Sequence, residues 1–296
     1  MSIKRIFLPI PGNTNPVEEI QLALSAATFL EAHIEALFIS EPPQAPTVPQ
    51  RGVPFSEFSG VNQFQDVAVE HGPAEAGERA ARDMRERFSR ACGLNHIPLI
   101  SGGTAIDTFP SARWMETDGD YSSITINRAA AFDLVVAGSE VVAQSLREVA
   151  EIALLRTGRP VLLAPMATGR ALNETALIAW KNSPQCWHAV SAAIPFLQRA
   201  HGVEIVSVGH EDQNIGFAHK DLIDYLSCHG VTATSSMIGG SDRSVGETLL
   251  AEAGTRNAGL LVMGAYSHSR IRDFLIGGVT KHVLANAAAT AVLMAH

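Results

Sequence analysis

Apolar residues in this chain gather into short unbroken runs, separated by longer stretches with helical spacing. In the first half the runs are Ile6-Phe7-Leu8-Pro9-Ile10, Ile34-Glu35-Ala36-Leu37-Phe38-Ile39, Phe132 to Gly138 and Arg159 to Ala164. In the second half they are Ala176 to Trp180, Val203 to Val208, Ala258 to Gly264 and Thr290 to Ala295. Runs of this length without polar alternation predict strands buried on both faces. Between them, apolar residues recur with a period near 3.6. That spacing predicts helices from about Pro16 to Ala32, from Pro184 to about Ala200, and from Gly278 to Ala287. Proline near the first two helix starts sits where its missing N–H costs nothing. Strands alternating with helices imply a parallel sheet covered by helices on both faces.

The order of these signals repeats, so the chain reads as an imperfect duplication. Phe132-Asp133-Leu134-Val135-Val136-Ala137-Gly138 matches Ala258-Gly259-Leu260-Leu261-Val262-Met263-Gly264, and Arg159 to Ala164 matches Thr290 to Ala295. The expected fold is α/β, with two tandem doubly wound, Rossmann-like domains of roughly five parallel strands each. Proline, glycine and small residues between Pro165 and Arg170 place the boundary there, giving domains 1–167 and 168–296. A stretch rich in Pro, Gly, Gln and Phe, about 41–77, interrupts the first copy. It reads either as a lid near a ligand cleft or as a segment packed on the neighbouring domain.

The chemistry concentrates between Leu260 and Thr280. A strand-like run ends at Gly264, the loop Ala265 to Ile276 follows, and Gly277-Gly278-Val279-Thr280 opens a helix. Backbone N–H groups at a helix start have no intrahelical partner and suit an anion. Glycine lets a phosphate approach the backbone. Two residues separate Gly264 from Ser267, and nine separate Ser267 from Gly277. This spacing resembles that of nucleotide-binding universal stress proteins, which carry Gly, two residues, Gly, nine residues, then Gly and Ser or Thr. Here Ser267 stands at the second glycine and Gly278 at the Ser or Thr position.

The resemblance implies an adenine nucleotide alpha hydrolase-like fold and an ATP site in the second copy, with Mg accompanying ATP. It also implies that the two domains pack as a pseudo-dimer. Met263 and Gly264 would end the strand beside the site, and Gly277, Gly278 and Val279 would present backbone to the phosphates. Thr280 would cap the helix or touch a phosphate oxygen, and Ser267 would donate through its hydroxyl. Arg270 would supply positive charge. Val208 would line the adenine pocket through its backbone. After Ala179 and Trp180 the family has an aspartate for the ribose region; this chain has Lys181, which reads as reaching a phosphate or solvent. In the first copy no glycine pair follows Gly138, and Glu140 and Glu148 would repel a phosphate.

Composition narrows the class. The chain has 296 residues, 46% hydrophobic and 18% charged, with net charge −8. That balance argues against general nucleic-acid binding, which needs a basic surface. Its three cysteines, Cys92, Cys186 and Cys228, are widely spaced and read as structural thiols of a reducing compartment. No run approaches the roughly 18 apolar residues of a membrane span, and the first residues open a strand at once. The expectation is a cytoplasmic stress-response protein without membrane or nucleic-acid partner. Eleven histidines show no zinc spacing, and no catalytic triad or P-loop motif is present. Two other readings stay open. One is a nucleotide-free scaffold that homodimerises through the edge strands Pro160 to Ala164 and Ala291 to Ala295. The other is a slow ATP hydrolase, for which Asp273 and Glu247 are the nearest acidic candidates.

Overall fold

The structure is a computed structural model. It describes residues 2–40, 73–102, 105–138, 150, 153–166, 169–209, 213–239, 242–266, 278–287 and 289–296. Most of the stretch expected as an insertion lies outside these, as do Glu140, Glu148 and the loop from Ser267 to Gly277.

In the first half the elements are β1 (Arg5–Pro11), α1 (Val17–Leu30), β2 (His33–Ser40), α2 (Pro73–Leu94), β3 (Ser111–Asp118), α3 (Tyr121–Ala129), β4 (Leu134–Ala137) and β5 (Val161–Leu163). The second half repeats them as β6 (Thr175–Ala179), α4 (Pro184–Leu197), β7 (Gly202–Val208), α5 (Gln213–Cys228), β8 (Ala233–Ile238), α6 (Val245–Thr255), β9 (Ala258–Gly264), α7 (Gly278–Asn286) and β10 (Ala291–Ala295). Helix α2 starts at Pro73, inside the stretch expected at about 41–77.

All ten strands form one sheet, in the order β3-β2-β1-β4-β5-β10-β9-β6-β7-β8. Each half has the doubly wound order, with its first strand flanked by its second and fourth. Pairing is parallel within each half. Between the halves β5 and β10 run antiparallel, with Leu163 opposite Val292 and Val161 opposite Met294. This corrects the expectation of open edges at Pro160 to Ala164 and Ala291 to Ala295. Each strand supplies the hydrogen-bonding partner the other lacks, so the scaffold reading loses its dimer surface.

Alternation along the strands divides the core into two layers that both halves share. Ile6, Leu8 and Ile10 of β1 face the same layer as Leu260 and Val262 of β9 and Leu293 of β10. Phe7, Leu261, Met263 and Val292 face the other. Helices α1 and α4 meet across the seam, with Phe29 and Phe196 stacked at 6.0 Å between ring centroids. Burial on both faces makes the central strands read as continuous apolar runs.

One polar cluster interrupts the core at the N-terminal ends of β1 and β2. Glu35 is buried and takes ion pairs from Arg128 and, at 3.5 Å, from Arg5. The Arg5 guanidinium lies 4.3 Å over the Phe132 ring. His33 is fully buried, with Nδ1 2.9 Å from Ser111 Oγ and no hydrogen-bond partner at Nε2 among the described residues. Burial, reinforced by Arg113, pushes the His33 pKa down to about 4.

Candidate functional site

In an open parallel sheet, ligands bind beyond the C-terminal ends of the strands, where the strand order reverses. In the second half that point lies between β6 and β9, which pair in register with Ala179 opposite Met263. A cavity of about 550 Å³ opens there.

Local chemistry explains why the elements converge on it. Helix α4 starts with Pro184, and its N-cap Ser183 accepts from the Cys186 N–H at 3.3 Å. The start of this helix packs directly on the end of β9. A methyl group on Gly264 would lie 2.7 Å from Cys186 N, so only glycine allows the approach. Helix α6 is closed by a capping box, in which Ser244 Oγ accepts from Glu247 N and the Glu247 carboxylate accepts from Ser244 N at 2.8 Å. That helix places Val245 and Leu249 on the cavity wall.

Eight of the residues expected from sequence line this cavity: Ala179, Lys181, Val208, Met263, Gly264, Gly278, Val279 and Thr280. Ser267, Arg270 and Gly277 lie outside the described residues. Thr280 is buried as the third residue of α7, and its Oγ1 accepts from the Tyr266 N–H at 3.2 Å. It therefore ties the chain leaving β9 to the helix that follows. Tyr266 there has φ 58, a left-handed conformation that a bulky side chain enters only at steric cost.

The cavity also takes residues that the sequence reading passed over. Val206 and Ala218 add apolar wall, while Trp180, Asn182, Cys186 and Ser207 stand at the end of β6, the start of α4 and the end of β7. The rule that ligands meet C-terminal strand ends would have found Trp180, Asn182 and Ser207. Cys186, expected as a structural thiol, belongs to this wall, and from α6 the sequence points to Glu247 and not to Val245 and Leu249, which line the cavity.

Ser207 organises the wall. Its Oγ donates to the Trp180 carbonyl at 2.8 Å and lies 2.8 Å from His219 Nε2. Since the hydroxyl has one proton, His219 carries a proton on Nε2 and donates to Ser207. Burial lowers the His219 pKa, which favours the neutral ring. Asn182 Oδ1 accepts from Trp187 Nε1 at 3.1 Å. Among the described lining residues Lys181 is the one charged side chain, and none is a carboxylate. Glu247, weighed above as a catalytic acid, is committed to its cap, and hydrogen bonding there lowers its pKa. Asp273 lies outside the described residues.

Comparison with solved structures bears on the whole chain. A universal stress protein from Archaeoglobus fulgidus DSM 4304 superposes with a TM-score of 0.69 at 14% identity, over 99% of this chain and 96% of that chain. The chain has the universal stress protein fold. A putative universal stress protein from Pseudomonas aeruginosa UCBPP-PA14 matches with a TM-score of 0.50 at 14% identity, over 99% of this chain and 93% of that chain. No family model and no curated protein matches the sequence. At such identity the universal stress protein likeness speaks for fold, and function has to be argued from the cavity. Among the described residues, no helix is long and apolar enough to cross a membrane, and no cluster of His, Cys, Asp and Glu could hold a metal.

Proposed function

We propose that this chain is a cytoplasmic tandem universal stress protein whose second domain, residues 168–296, binds an adenine nucleotide. ATP is the favoured ligand, and the protein acts in the stress response through nucleotide occupancy and not through turnover. The observation that carries this reading is the cavity between β6 and β9, which gathers the residues of two separate sequence signals, the end of β6 and the glycine segment at α7. Its apolar wall suits a base, and the backbone at Gly278 suits a phosphate. Magnesium would be held by the phosphates themselves, since no carboxylate stands among the described lining residues. The first domain, residues 1–167, would serve as the structural partner.

Native mass spectrometry with and without Mg-ATP tests this reading. The expected result is a mass increment of a single nucleotide per chain, lost in Gly278→Asp. A side chain at Gly278 meets open space, so the variant adds charge at the start of α7 without a clash. An unchanged mass at millimolar ATP overturns the reading.

A further inference from the structure

We infer that His296 is a positioning residue for the nucleotide cavity: it holds the chain where it leaves β9, at Ala265 and Tyr266, in the shape that ligand binding requires. The inference rests on the nucleotide reading above and deepens it.

Strand β9 ends at Gly264, which lines the cavity, and the sequence then runs through Ala265 and Tyr266 toward Gly278. Tyr266 turns the chain with φ 58, a conformation that steric conflict with Cβ makes costly for residues other than glycine. Neighbouring groups have to hold it there. Its N–H donates to Thr280 Oγ1 at 3.2 Å, which ties it to α7. His296 works from the other side. Its Nδ1 donates to the Ala265 carbonyl at 3.0 Å, and its ring meets the Tyr266 ring at 68°, with centroids 6.2 Å apart.

The imidazole is itself anchored. The Ala265 N–H donates to the Ala295 carbonyl at 2.8 Å, which brings the end of β10 beside the chain leaving β9. From α4, His188 Nδ1 donates to the backbone oxygen of His296 at 3.1 Å. The start of α4 packs on Gly264. His296 therefore joins α4 and β10 to the residues that follow β9. A carbonyl only accepts, so His296 carries a proton on Nδ1, and a second proton at Nε2 leaves this bond intact.

The duplication supplies a contrast. Arg159 to Ala164 matches Thr290 to Ala295, so Pro165 stands where the second half has His296. Proline has no side-chain donor. The half whose sequence lacks the glycine pair thus also lacks this donor. The effect on binding is one of populations. Without the tie, Tyr266 relaxes toward negative φ, the competent shape becomes a smaller fraction, and the apparent affinity falls with that fraction.

Isothermal titration of the full chain with Mg-ATP tests this. His296→Ala should weaken binding roughly fivefold, the scale of one neutral hydrogen bond. His296→Asn should bind like the wild type, because the amide nitrogen of Asn and Nδ1 of His are both bonded to Cγ. His296 is exposed, so both variants should melt close to the wild type. Affinity lost with Ala and restored with Asn, at a steady melting temperature, is not what a merely structural role would give. In a Tyr266→Gly background, where the left-handed turn carries no steric cost, His296→Ala should lose most of its effect. If the wild type and His296→Ala bind ATP equally, if Asn fails to restore affinity, or if the glycine background leaves the loss undiminished, the inference is overturned while the nucleotide reading stands. If the wild type does not bind ATP, both fall.

Discussion

The Glu19 carboxylate lies against the α-carbon of Gly138, so close that a methyl group there would sit 1.9 Å from Glu19 Oε1. Glu19 is the third residue of α1, and Gly138 follows the last residue of β4. In the second half the matching residues are Cys186, third in α4, and Gly264, last in β9. Where the second half opens a cavity beside the Cys186 side chain, the first half buries the Glu19 carboxyl group. A phosphate arriving there would meet like charge in a poorly solvated place.

Gly138→Ala should destabilise the protein by about 1–3 kcal/mol in chemical denaturation, the usual range for overpacking. Glu19→Ala should suppress most of that loss, because the obstacle is the end of a side chain. Gly264→Ala should resist rescue by Cys186→Ala, since there the nearest atom, at 2.7 Å, is backbone nitrogen. A double-mutant cycle at each site separates the two cases, and equal coupling at both would refute the distinction.

Glu35→Gln should cost about 2 kcal/mol, below the 3–5 kcal/mol of breaking a fully buried pair. The side chains left behind, Arg5 and Arg128, are 40% and 41% exposed and can turn to water. Arg5→Gln alone should cost less than Glu35→Gln, because Arg128 still holds the carboxylate. Urea unfolding of the two variants checks the order, and a larger loss for Arg5→Gln would contradict it.

His33 gives stability a pH dependence. Its pKa in the fold is about 4, against 6.5 as the ordinary value. The fold therefore favours the neutral ring. As pH falls below about 6.5 the unfolded chain takes up a proton that the folded chain refuses, so stability is lost down to about pH 4. The loss attributable to His33 approaches about 3 kcal/mol over that window. His33→Gln should flatten this part of the curve measured by urea unfolding. A variant with the wild-type slope between pH 6.5 and 4 would assign the dependence elsewhere.

The sequence made the buried strands legible because burial on both faces leaves an unbroken apolar signature. Strand β9 was read from Ala258 to Gly264, its observed bounds. The outer strands β3 and β8, the fifth in each half, are counted but not located by the apolar runs, since an outer strand carries polar residues such as Thr234, Ser235 and Ser236. At the site, the glycine pattern pointed to Gly264 and Gly278 because backbone needs constrain residue type. Leu249 and Val245 carry no such constraint and look like any other amphipathic helix. The role of Glu19 was illegible for a further reason. Its meeting with Gly138 joins positions more than a hundred residues apart, and the acids that seemed to guard that loop, Glu140 and Glu148, are different ones.

The antiparallel seam between β5 and β10 has a consequence for how this molecule behaves at low abundance. Two separate chains meeting through such strands would come apart on dilution, and their stability would track their concentration. Here both strands belong to one chain, so the local concentration of each partner is set by the connecting chain and not by the cell. Thermal unfolding should accordingly be indifferent to how much protein is present, and a cell holding only a few copies would keep every one of them paired.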